Sequence, residues 1–241
     1  LSDKGGFVAR PVKSRQIPNI QEAIKDAAWK QIAESGAVSL SLRGIARVLK
    51  ISAPAIYNYF IDRDALISAL MYDAYVSFGE FQRAAMAQYS DSGQLLERLF
   101  AIGVAYREWA LKYPNRYRLI FGSLVPGYRT SEDGLLPVMK LGISALMECV
   151  GELHAAGMLR SPDTLTGMPE LTGFPGCLDA FTGSADALVT GISMLIWSRV
   201  HGMVSLELEG KLPPYEGYPA LLYQLELEMI MRQFVILQPD K

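Results

Sequence analysis

The chain has 241 residues, half of them hydrophobic, with 23 Lys+Arg against 25 Asp+Glu and only two cysteines and two histidines. That length suits one large domain or two ordinary ones. No apolar run approaches the roughly 20 residues that span a bilayer, two cysteines are too few for a disulfide framework, and no Cys/His cluster has zinc-ligand spacing.

Residues 1–18 are polar, punctuated by Gly and Pro, and carry Lys4, Arg10, Lys13 and Arg15. They read either as a flexible tail or as a basic arm that follows a nucleic-acid backbone. They also lack the continuous apolar core of a secretory signal, so the expected location is the cytoplasm. A first helix is expected over Ile20 to Ser35, with Ile24, Ala28, Trp29 and Ile32 on its apolar face and Gly36 as its stop.

The stretch VSLSLRGIARVLKISAPAIYNYFIDRDAL, from Val38 to Leu66, has the spacing of a helix-turn-helix followed by a long helix. Ser41 is placed to cap the second helix, whose Leu42, Ile45, Ala46 and Leu49 share one face. Ser52 is placed to cap the third, which is expected to run to Phe60 with Ile56, Tyr57 and Phe60 repeating at helical spacing. Pro54 falls in its first turn, where a missing N–H costs nothing. Two helices this short are unstable alone and must pack on each other and on a third. In nucleic-acid-binding versions of this unit, the polar tip of the later helix enters the major groove.

Asp62 is expected to cap a fourth helix reaching about Gln88, and everything beyond reads as helical too. Helices are expected over 94–113, 115–121, 135–158, 178–209 and 219–237, with a Pro/Gly/Thr-rich loop at 161–176 and no strand alternation. Three segments follow from this: a basic arm at 1–18, a helix-turn-helix head at 19–66 and an all-α body at 67–241. The head holds ten basic and six acidic residues, net +4, and the remainder is net −6. A positive head on a negative body is the asymmetry expected if only the head meets phosphates.

Residue by residue, this head resembles the TetR family of transcriptional regulators. The resemblance is carried by the Ser cap before helix two, the Ile45-Ala46 pair, Ser52 after the turn, Tyr57 and Phe60, and Arg63 and Leu66 entering helix four. The body segments YREWALKYPNRYRLIF and WSRVHGMVSLELEG look like the C-terminal domain type named for a Trp-His-Gly motif, here Trp197, His201 and Gly202. Three departures stand out. Lys50 occupies a turn position that is usually glycine, Pro54 replaces a frequent glycine, and Tyr59 replaces a frequent histidine.

The resemblance implies a homodimer that binds a double-stranded DNA operator as a ligand-responsive repressor. Ser41, Lys50, Tyr57, Tyr59 and Arg63 are the expected phosphate-facing set, and Arg43, Ser52, Ala53, Ala55 and Asn58 the expected base-reading set. Asn58 suits a bidentate contact with adenine, and the alanine methyls suit thymine methyls. A small apolar or cationic effector is expected in the body, against walls drawn from Tyr106, Trp109, Tyr113, Tyr117, Phe121, Met139, Trp197 and His201. The alternative for each of these is packed core. Pairing is expected through Leu188, Ile192, Leu195 and Ile196 on one helix and Leu222, Leu225, Met229 and Ile230 on the next. Cys149 and Cys177 read as inert, and no cofactor or metal is expected. An enzyme is the rival of a different class, but GxSxG, phosphate-cradling and metal-ligand patterns are missing. A helical adaptor that has lost DNA affinity is the other rival.

Overall fold

The computed structural model describes residues 19–91, 93–123, 125–129, 135–160, 186–213 and 217–236. The expected arm at 1–18, the whole of the expected 161–176 loop, Cys177 and the first residues (178–185) of the helix expected over 178–209 lie outside the described residues. The chain divides into two compact units that meet between Leu66 and Ile67.

In the first unit, α1 (Ile20–Ser35) buries Ile24, Ala27, Ala28 and Ile32. Gly36, at φ 75°, ends it and starts a 3₁₀ turn at Ala37–Ser39. Helix α2 (Leu42–Leu49) is capped by Ser41, whose Oγ accepts from the Gly44 amide at 3.3 Å. The Ser41 amide in turn donates to Gln31 Oε1 at 3.0 Å, tying the start of α2 to α1. That bond spans ten residues and lies outside any local pattern. Lys50 closes α2 in the left-handed region, at φ 56° and ψ 39°, where a side chain costs roughly 1–2 kcal/mol relative to glycine.

Helix α3 is shorter than its apolar spacing suggests. It covers Ala53–Tyr57, and Asn58 is its C-cap. The amides of Tyr59 and Phe60 both fold back onto the Ile56 carbonyl, so the tip stays ordered beyond the helix proper. Ser52 holds the N-cap position in extended geometry but its side chain makes no capping bond, which corrects the expected cap. Ile56 and Phe60 are buried, so this short element is anchored from one side.

Helix α4 (Arg63–Met86) starts at the Asp62 carboxylate, which accepts from the Ala65 amide at 2.7 Å, and the boundary between units falls within it. In the second unit it is followed by α5 (Leu95–Lys112), α6 (Pro114–Phe121), α7 (Leu136–Met139), α8 (Leu141–Ala155), α9 (Ala187–Leu208) and α10 (Tyr218–Phe234). The single helix expected over 135–158 is two. The ladder restarts at Lys140, whose carbonyl accepts from both the Ile143 and the Ser144 amides. Leu159 and Val235 form an antiparallel bridge, a pairing too short to leave any alternation in the sequence. The fold of the described residues is otherwise all helix.

Packing in the second unit is close. A Cβ on Gly79 would stand 2.7 Å from the Leu141 carbonyl oxygen, so α4 and α8 touch backbone to backbone. Gln82, fully buried on the next turn of α4, donates to the Gly142 carbonyl at 3.1 Å. Arg107 of α5 grips Glu207 of α9 with two hydrogen bonds, at 2.7 and 2.6 Å, a paired geometry that adds direction to the charge attraction. The Tyr223 hydroxyl donates to the Gly103 carbonyl at 2.7 Å, and burial pushes that phenol's pKa well up. None of the described helices is long and apolar enough to cross a membrane.

Candidate functional site

On the first unit, the polar residues in and beside α3 face outward while Ile56 faces in. Ile56 is 0% exposed, whereas Tyr57 and Tyr59 are 47% and 44% exposed. Ser52, Asn58 and Arg43 are exposed as well, with Ala53 and Ala55 half-buried between them. Tyr57, whose ring spacing also fits a core role, therefore has much of its surface in solvent. Lys50 is exposed at the turn. Ser41 is half-buried and its oxygen is committed to capping α2.

Arg63 sits differently from a free phosphate contact. Its Nη2 donates to the carbonyls of Ala37 and Val38 at 3.0 and 3.1 Å, and its Nη1 lies 3.8 Å from Asp64. The guanidinium thus braces the 3₁₀ turn that leads into α2. Sequence spacing gives no sign of this, because the partners lie about 25 residues away.

In the second unit a cavity of about 280 Å³ opens among α4, α6, α7, α8 and α9. Phe121, Met139, Trp197 and His201 line it, as the sequence suggests. Tyr75, Ile120, Gly142, Ile143 and Met194 line it too, and the sequence gives no reason to single them out. A helical residue's apolar character does not reveal whether it meets a neighbour or a void. A second hollow of only about 20 Å³ touches Tyr106 and Trp197 and is effectively packed core.

The other three expected wall residues serve elsewhere. Trp109 is fully buried, with its indole N–H on Ser77 Oγ at 3.1 Å. Tyr113 ends α5, where Arg116 lies over its ring at 4.8 Å from the centroid. Tyr117 is buried behind the cavity and holds its histidine in place.

His201 is the hub of this region. Its Nδ1 lies 3.0 Å from the hydroxyls of both Tyr106 and Tyr117. Tyr117 Oη also lies 2.9 Å from Ser205 Oγ and 3.3 Å from the His201 carbonyl. The imidazole stacks on Trp197 with centroids 4.9 Å apart and planes 18° from parallel, and Phe121 meets it edge-on at 5.4 Å. Burial lowers the imidazole pKa below its ordinary 6.5, which keeps the ring neutral at physiological pH. Burial likewise raises the Tyr106 and Tyr117 phenols, so both hydroxyls remain protonated.

The faces of α9 and α10 are unevenly used. Leu195, Leu225 and Met229 are 41–56% exposed, and Leu188 and Leu222 are half-buried. Ile192, Ile196 and Ile230 are enclosed by their own chain and offer no surface to a partner, which removes them from the expected pairing set. Leu221, 57% exposed and overlooked in the sequence, lies one turn from Leu225 on the same face.

Two family models cover this arrangement. Residues 24–70 match the model described as bacterial regulatory proteins, tetR family, and residues 99–230 match the one described as tetracyclin repressor-like, C-terminal domain. The chain belongs to the TetR family. As a TetR regulator it has relatives in the HTH-type transcriptional regulators Mb1846 of Mycobacterium bovis and Rv1816 of Mycobacterium tuberculosis. Each is 32% identical to it over 193 residues, which is 80% of this chain and 82% of the relative. Among solved structures, the regulatory protein SCO4313 superposes with a TM-score of 0.71 at 34% identity, covering 90% of this chain and all of that one. A tetR-family bacterial regulatory protein from Rhodococcus RHA1, at 15% identity and a TM-score of 0.63, shares the fold over 92% of this chain and all of its own. TetR regulators are ligand-responsive DNA-binding proteins rather than enzymes, and this chain is one of them.

Proposed function

We propose that the protein is a repressor that binds a pseudo-palindromic operator as a homodimer and is released when a small apolar or cationic molecule occupies the body. The observation that carries this reading is the polarity of α3: Ile56 and Phe60 are buried while Ser52, Tyr57, Asn58 and Tyr59 are exposed. Ser52, Ala53, Ala55, Asn58 and Arg43 are assigned to base edges. Tyr57, Tyr59, Lys50 and Ser41 are assigned to phosphates, with Arg63 mainly bracing the turn that presents them.

One head covers one half-site, so specific binding requires a second head at a fixed spacing of roughly one helical turn or a multiple. The exposed row Leu195, Leu221, Leu225 and Met229 supports pairing through α9 and α10. The cavity beside Trp197 and His201 supports effector binding, and we assign the body to the Trp-His-Gly type on Trp197, His201 and Gly202. Effector and DNA would then oppose each other by as much as the effector's affinity differs between the two conformers.

A mobility shift with the promoter beside the protein's own gene tests the reading. A regulator shows retardation that weakens steeply with salt as counterions return to the phosphates. An adaptor without DNA affinity shows no shift at any salt concentration.

A further inference from the structure

The described walls of the 280 Å³ cavity carry no carboxylate, ammonium or guanidinium group. Aromatic faces alone can attract a cation. Burying one without a counter-charge costs more than a ring face returns. An anion would meet only a neutral imidazole. The volume sets the size, because an apolar cavity of about 150 Å³ takes up one benzene ring. This cavity is nearly twice as large. Its walls are planar or adaptable, with Trp197 and Phe121 supplying ring faces and Met139 and Met194 supplying polarizable thioethers that pack on rings.

Among the described lining residues, hydrogen-bond accounting points to His201 as the donor for the occupant. The Trp197 side chain interacts with the Tyr106 hydroxyl, lowering that phenol's pKa against the larger rise from burial. The Tyr75 hydroxyl spends its hydrogen on the Ile120 carbonyl at 3.1 Å. At His201 two phenols converge on Nδ1, and a neutral imidazole accepts at one nitrogen and donates at the other. We assign Nδ1 as the acceptor, which puts the ring hydrogen on Nε2. Among the described residues, Nε2 has only the long 3.4 Å contact with Ser205 Oγ, itself bonded to Tyr117 at 2.9 Å.

We propose that the cavity takes a neutral, two-ring aromatic molecule carrying one hydrogen-bond acceptor, which the Nε2–H of His201 reads. This rests on the body-cavity reading above and narrows it to the neutral branch. The occupant's rings lie among Trp197, Phe121 and the two methionines, with its acceptor atom toward the imidazole.

Isothermal titration of the full chain near neutral pH with four probes of one shape tests the proposal: quinoline, naphthalene, N-methylquinolinium and 2-naphthoate. Quinoline is expected to bind about tenfold more tightly than naphthalene, the worth of one added hydrogen bond. The two charged probes are expected not to bind measurably. In His201→Phe the preference for quinoline over naphthalene should fall to about one, whereas a merely structural role would weaken both probes together. Met194→Trp, which fills the cavity, should abolish binding of both.

Charged probes binding as well as quinoline, equal binding of quinoline and naphthalene to the parent protein, or no binding of any probe would each overturn the proposal. Operator release is read separately by mobility shift. Quinoline binding with the DNA complex intact sustains the proposal while removing the cavity's regulatory role. Release by a charged probe alone does the reverse.

Discussion

Replacing Leu225 and Met229 of α10 with glutamate should convert the protein to a monomer that no longer retards operator DNA. These side chains are 49% and 56% exposed in the single chain, so about half of each remains to be buried by a partner. Full burial of a Leu or Met side chain is worth about 1.5–3 kcal/mol, which makes the remaining half worth about 1 kcal/mol. Symmetry doubles the two residues to four, for a loss of about 4 kcal/mol across the interface. At 1.4 kcal/mol per factor of ten, dimerisation weakens by roughly a thousandfold from lost burial alone. Four carboxylates forced into an apolar seam without partners add a further penalty of the same sign. Light scattering on a sizing column gives the mass, and a mobility shift on the same fractions gives the DNA affinity. A dimer that persists at the parent concentration, or a monomer with undiminished operator affinity, would refute the reasoning.

Three further expectations follow from particular residues. Lys50→Gly should raise stability by about 1 kcal/mol by relieving the left-handed backbone strain, measured by urea unfolding with operator affinity followed in parallel; a loss of stability would mean that the lysine side chain holds the turn. Ser193→Ala should stabilise by about 1 kcal/mol, because the Ser193 hydroxyl is buried with no hydrogen-bond partner among the described residues; destabilisation in thermal melts would reveal a partner. The His201 pKa is lowered by burial, so the unfolded chain takes up this proton at a higher pH than the folded one. Stability should therefore be unaffected by this group above about 6.5 and decline as pH falls below it. His201→Phe should flatten that part of the stability–pH curve, and an unchanged curve would place the acid sensitivity elsewhere.

The helices were legible wherever a local device sets their ends. Gly36, Ser41, Asp62 and Pro114 each act within a turn, and α1, α2 and the start of α4 begin or stop where these residues require. The positive φ of Lys50 was signalled only through the resemblance, in which that turn position is usually glycine. Long-range devices were not. The hold of Gln31 on Ser41, the clamp of Arg63 on Ala37 and Val38, and the bridge between Leu159 and Val235 link residues whose separation carries no period.

The cavity was half visible. Phe121, Met139, Trp197 and His201 could be named from aromatic and polar character, but Trp109 has the same character and is solid core. Gly142 and Ile143 line the cavity from the start of α8, the stretch that packs against Gly79 of α4, and nothing in their residue type announces it. On α9 nearly every face is apolar, so periodicity could not separate Ile192 and Ile196, which pack inward, from Leu195, which does not.

The exposed tip of α3, from Ser52 to Tyr59, is the element on which the account turns, and selection of binding sequences from random duplexes by the full-length protein tests it most directly. The account predicts an enriched inverted repeat whose two half-sites lie about one helical turn apart or a multiple of it, with base preference at one half-site position relaxed in Asn58→Ala. Enrichment of no sequence, or of a single isolated half-site, would contradict it.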